Sequence, residues 1–118
     1  MAAGLRIYHN PRCSKSRDTL ALLQAAGASP EIVLYLELPP SPPELKTLIK
    51  ALGFGSAREL LRKGEDAYKA LGLADPSLSE ETLLEAMHNN PKLIERPIVV
   101  KGRKAVLGRP PENVQQLL

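Results

Sequence analysis

A chain of 118 residues with 43% hydrophobic and 3% aromatic content, and no Trp, suits one domain whose core is built mainly from Leu, Ile, Val and Ala. Its net charge of +3 is too small by itself to argue for nucleic acid, and no groove-reading motif is present, although a few clustered arginines suit a small anion. The single cysteine excludes an intramolecular disulfide and every multi-cysteine metal site, so a thiol oxidised here has to be resolved by another molecule.

Met1-Ala2-Ala3-Gly4 has neither a charged leader nor a long apolar run, and it leads into a first predicted strand from Leu5 to Tyr8. Nothing elsewhere has membrane-spanning length, and the expected setting is cytoplasmic and reducing. After Asn10-Pro11, the apolar residues Leu20, Leu22 and Leu23 with Ala21, Ala25 and Ala26 predict a helix from about Ser14 to Ala26, stopped at Gly27. Cys13 stands at its mouth. The first helical N–H groups lack intrahelical partners and, with the macrodipole, favour negative charge there. Arg12, Lys15 and Arg17 add positive charge, which favours thiolate over thiol. The same amides suit an oxyanion. A free cysteine is often only a small buried apolar residue. The order strand, turn, cysteine and basic helix start favours a nucleophile instead.

Glu31 to Leu36 is predicted as a second strand, and its near-continuous apolar character suits a buried parallel neighbour of the first. Pro39-Pro40-Ser41-Pro42-Pro43 forms a rigid elbow. Ser41 is the predicted cap of a helix carrying Leu45, Leu48, Ile49 and Leu52 on one face, with Glu44 at the capping-box position. Residues 56 to 90 predict short helices: Ala57 to Arg62, Asp66 to Leu71, and one headed by Ser79 that ends near His88 to Asn90. Glu80 and Glu81 are helix-end charges. His88 has no partner at ligand spacing, and no metal site is predicted. Arg96 to Val100 is a third strand, Lys101 to Lys104 a turn and Ala105 to Leu107 a fourth strand, before a last helix from Glu112 to Leu118. The sum is α/β: a βαβ unit, a helical insertion at about residues 41–90, then a β-hairpin and C-terminal helix within one domain of residues 1–118. That order is the thioredoxin-like fold, with a four-stranded mixed sheet.

The motifs go further than the fold. Tyr8-His9-Asn10-Pro11-Arg12-Cys13 with Ser16-Arg17, Leu34-Tyr35-Leu36-Glu37, Leu60-Leu61-Arg62-Lys63, Glu95-Arg96-Pro97-Ile98-Val99-Val100 and Gly108-Arg109-Pro110 resemble the glutaredoxin-linked arsenate reductases of the ArsC family, closest to its short chromosomal members. The resemblance covers essentially the whole chain. It departs in Ser14-Lys15, where the best-known arsenic-resistance reductases carry Gly-Thr after the cysteine.

By this resemblance Cys13 matches the nucleophile that attacks arsenic, and Arg62, Arg96 and Arg109 match three arginines around the oxyanion. Guanidiniums stay charged and present planar pairs of donors to such anions. His9 matches a residue that helps keep the thiol ionised. Ser16 stands at the second position of a Cys-x-x-Cys pair, from which a hydroxyl can donate to the thiolate, and Arg17 adds charge. Pro97 resembles the cis-proline that faces the thiol in thioredoxin-like proteins. The implied scheme has no bound cofactor: glutathione is co-substrate, glutaredoxin is the partner, and the protein is a monomer. Two other readings use the same residues. One is a glutathione-dependent thiol oxidoreductase without an oxyanion substrate, and the other an Spx-like regulator that binds RNA polymerase.

Overall fold

The computed structural model describes residues 4–118. Met1-Ala2-Ala3, read above as a lead-in, lie outside them. The described residues divide into two compact units, one made of the chain up to Leu38 with Arg96–Leu118, the other of Pro39–Glu95.

The first unit holds a four-stranded mixed sheet in the order β2-β1-β3-β4, the thioredoxin-like arrangement. Strand β1 (Leu5–Tyr8) runs parallel to β2 (Glu31–Val33) and antiparallel to β3 (Ile98–Lys101), with Ile7 opposite both Ile32 and Val99. The β3–β4 hairpin closes on β4 (Lys104–Leu107), with Ile98 opposite Leu107. Alternation puts Leu5, Ile7 and Val99 on one face. There they form a core with Leu23 of helix α1 (Ser14–Ala25) and with Val114 and Leu117 of a C-terminal 3-10 helix (Pro111–Leu117). Helix α1 ends where the sequence places it. Gly27 takes a positive φ of 82°, so its own N–H reaches the Gln24 carbonyl and that of Ala28 reaches the Leu23 carbonyl, satisfying carbonyls the helix leaves open.

Two expectations for this unit change. The second strand stops at Val33, because Leu34–Glu37 turn back on themselves: Glu37 and Leu38 N–H groups both donate to the Leu34 carbonyl. The apolar run there belongs to a turn that buries Tyr35, and β2 is a sheet edge with Ile32 47% exposed rather than a buried strand. The last element is a 3-10 helix, entered through Pro110 and Pro111, and α-helical bonding never takes over in so short a segment.

The second unit is helical. Ser41 caps α2 (Pro42–Ala51) by accepting the Glu44 N–H at 3.3 Å, with prolines in the first turn, where no N–H is needed. A 3-10 turn (Ala57–Leu60), α3 (Asp66–Ala70), α4 (Glu80–Asn89) and a second 3-10 turn (Pro91–Leu93) follow. Leu45, Leu60, Leu83, Met87 and Leu93 are fully buried among them. Glu80 does more than sit at a helix end, since its carboxylate accepts from Ser56 Oγ at 2.7 Å and from the Ala57 N–H at 2.8 Å. Among the described residues no helix is long and apolar enough to cross a membrane.

Candidate active site

The turn between β1 and α1 is held from three sides. Asn10 Oδ1 accepts the Arg12 N–H at 3.0 Å, the Asn10 carbonyl accepts the Cys13 N–H at 3.0 Å, and Arg17 Nη1 reaches back to the Pro11 carbonyl at 3.0 Å. Cys13 is thereby the N-cap of α1, in extended conformation and 9% exposed, and its carbonyl accepts the Arg17 N–H. The N–H groups of the first helical turn that follow it have no intrahelical partners.

Beneath the turn lies a buried polar pair. His9 Nδ1 and Ser16 Oγ are 2.6 Å apart, and Ser16 Oγ also accepts the Asn10 N–H at 3.0 Å. Burial and then the positive charge of Arg17 push His9 below the ordinary histidine value, which favours neutral imidazole. The Ser16 hydroxyl, expected to donate to the sulfur, has these two partners among the described residues. Ser16 has no exposed surface, and a buried hydroxyl takes the partners its face of the helix offers, His9 and the Asn10 amide. Among the described residues the Cys13 side chain forms no capping bond. Arg17, expected to add charge near the thiol, also braces the turn through Pro11.

The hairpin brings two of the expected arginines together. Extending the Ile98–Leu107 register by one step puts Pro97 opposite Gly108, and the Gly108 N–H donates to the Pro97 carbonyl at 2.9 Å. One further step sets Arg96 across from Arg109, whose Nη1 donates to the Arg96 carbonyl at 3.4 Å. Each arginine precedes a cis peptide bond, Arg96–Pro97 and Arg109–Pro110. The Arg109 side chain is exposed. Arg96 is half-buried, and its Nε and Nη1 are buried with no hydrogen-bond partner among the described residues.

Sequence reasoning missed what ties the hairpin to α1. Thr19 Oγ1 donates to the Lys15 carbonyl at 2.7 Å and lies 3.4 Å from the Gly108 carbonyl, and a Cβ at Gly108 would stand 2.4 Å from that oxygen and 2.8 Å from Pro97 Cγ. Only glycine lets the strand approach this closely. The signal was a glycine directly before Arg109-Pro110.

Arg62 belongs to the second unit. The predicted helix from Ala57 to Arg62 is corrected, since the 3-10 turn ends at Leu60 and Leu61 bridges to Ile94. The Arg62 N–H donates to the Leu93 carbonyl, and its guanidinium pairs with Glu65 at 2.7 Å and Glu95 at 3.5 Å. Arg58 is occupied as well, donating to the carbonyls of Leu73 and Asp75. Among the described residues no group of three or more His, Cys, Asp or Glu could hold a metal ion.

Known proteins with this arrangement are readily found. The ArsC family profile matches residues 8–117. The chain belongs to the ArsC family. It is 59% identical over 118 residues to a protein of Escherichia coli K12 called YfgD, covering 100% of this chain and 99% of that one. It is 48% identical over 114 residues to an arsenate reductase of Neisseria meningitidis serogroup A, covering 97% of each. Among solved structures, an arsenate reductase from Vibrio cholerae superposes with a TM-score of 0.95 at 51% identity, covering 98% of each chain. The ArsC match includes the cysteine turn, the hairpin and both of its arginines.

Proposed function

We propose that this ArsC protein is an arsenate reductase that uses glutathione and glutaredoxin. The observation that carries the reading is the Arg96 guanidinium, with two buried nitrogens lacking acceptors. A buried N–H without an acceptor is costly, and a tetrahedral oxyanion supplies the acceptors that Nε and Nη1 lack among the described residues. Arg109 stands beside it. Arg62 is assigned to the same anion on the family's motif alone.

The Cys13 sulfur attacks arsenic, a hydroxide or water leaves, and a thiol-arsenate adduct forms. The helix amides and arginine charges stabilise the negative oxygens. Glutathione attacks the adduct next. Cys13 and glutathione supply one electron each, arsenic passes from the pentavalent to the trivalent state and leaves as arsenite, and a mixed disulfide remains on Cys13. Glutaredoxin takes the glutathione moiety and frees the thiol. One cysteine is enough for this cycle, because the second and third sulfurs come from other molecules.

The test is NADPH consumption with glutathione, glutathione reductase and glutaredoxin, with and without arsenate. Wild type is expected to show an arsenate-dependent rate, Cys13→Ser none, and Arg96→Ala a kcat/KM for arsenate lower by about 100-fold. Absence of an arsenate-dependent rate in wild type overturns the reading.

A further inference from the structure

The cysteine turn has a second side. Between the turn that precedes Cys13 and the turn that follows β2 lies a cleft of about 460 Å³, within the range of small-ligand sites. Pro11, Leu34 and Leu36 supply apolar wall, while Arg12 and Glu37 put one positive and one negative charge on its rim. Both charged side chains are exposed, and neither forms a hydrogen bond or ion pair among the described residues. Asn10 also lines the cleft, and its Oδ1 is fixed by the Arg12 N–H, which leaves both amide N–H donors for a ligand.

A cleft of similar volume, about 480 Å³, opens at the other end of the sheet and shows what a self-satisfied surface looks like. There Arg6 and Glu31 pair with each other at 3.1 Å across β1 and β2. Among the described residues nothing comparable neutralises the rim charges beside the cysteine turn.

We infer that this cleft is the docking site of the thiol co-substrate, a zwitterionic peptide of the glutathione type. The inference rests on the arsenate reductase reading and adds to it the place where the second sulfur binds. Such a peptide carries carboxylates at both ends, an ammonium at one and an aliphatic stem between. Arg12 takes a carboxylate through its paired guanidinium donors, Glu37 takes the ammonium, and the stem lies on Pro11, Leu34 and Leu36. Asn10 donates to a peptide carbonyl. Arg12 adjoins Cys13 in the chain, so a peptide anchored on Arg12 is delivered to the turn that carries the nucleophile. The oxyanion and the thiol are then recognised by different residues, arginines of the hairpin for one and the two turns for the other.

The experiment uses S-methylglutathione, which has the charges of the co-substrate but no free thiol to react. Titrated into the isotope-labelled full chain, it is expected to shift amide resonances of residues 9–12 and 34–37, and Glu37→Lys is expected to weaken binding roughly tenfold. In turnover, Glu37→Gln should raise the KM for glutathione several-fold and leave the KM for arsenate unchanged. Shifts clustered elsewhere, no shifts up to about 10 mM, or wild-type binding by Glu37→Lys would each overturn the inference even if arsenate turnover stands. Conversely, cleft binding lost in Glu37→Lys by a protein without arsenate turnover would uphold the cleft and remove only the arsenate reading.

Discussion

Replacing Gly108 by alanine tests the joint between the hairpin and α1. The added Cβ falls 2.4 Å from Thr19 Oγ1, 2.8 Å from Pro97 Cγ and 3.0 Å from Thr19 Cγ2, so the tightest contact is roughly 1 Å short of ordinary packing distance. Neither neighbour yields easily. Thr19 Oγ1 is held by the Lys15 carbonyl, and Pro97 is tied to Gly108 by its own carbonyl. Overpacking of this kind costs about 2–3 kcal/mol. With a urea m-value of about 1.5–2 kcal/mol/M, the unfolding midpoint of Gly108→Ala should fall by about 1–2 M. Thr19→Ala removes two of the three close contacts, so in the double variant part of the loss should return, with a coupling of about 1 kcal/mol or more. A Gly108→Ala midpoint within about 0.3 M of wild type would falsify the packing argument. So would a Thr19→Ala change that simply adds its own cost.

His9 gives a pH dependence. Its lowered value in the fold means that the unfolded chain takes up the proton first, so stability is at full strength above about 6.5 and declines as pH falls below it. Unfolding midpoints from pH 8 to pH 5 should show this decline in wild type and a flatter profile in His9→Gln; equal slopes would remove His9 as the source. Ser41→Ala deletes the cap of α2 and should cost about 1 kcal/mol by urea titration, with Ser41→Asp restoring most of it. A loss in Ser41→Ala that Ser41→Asp does not recover would mean that the serine acts through something other than the Glu44 N–H.

Elements with local punctuation were legible in the sequence. Helix α1 has a proline-led start and a glycine stop, and α2 has its serine cap and proline entrance, so neither needed knowledge of distant partners. The strand through Leu34–Leu36 was misread because an apolar run is the same whether it lies in a sheet or packs as a turn around Tyr35. Arg62 was misplaced for a related reason. The chain leaves the helical turn at Leu61, whose bridge to Ile94 is a pairing more than thirty residues away that no local propensity encodes. At the site, the position of Cys13 followed from the order of elements, and the pairing of Arg96 with Arg109 from the hairpin that they flank. What one line of sequence could not show is which polar groups are spent: Ser16 on His9 and Asn10, Arg62 on two glutamates, and two buried nitrogens of Arg96 on nothing among the described residues.

The sheet order also has a consequence for how the chain is made. Strand β1 sits at the centre, yet one of its two neighbours, β3, is translated only after the whole helical segment of residues 39–95. Helical contacts within that segment are available earlier, whereas the Leu5–Lys101 end of the ladder awaits nearly a hundred residues of synthesis. Through that interval the nascent protein has Cys13 but neither Arg96 nor Arg109. A ribosome-bound chain halted before Arg96 would therefore hold the cysteine turn without the hairpin, and under the function proposed above any chemistry on arsenate would have to wait for the hairpin to be translated.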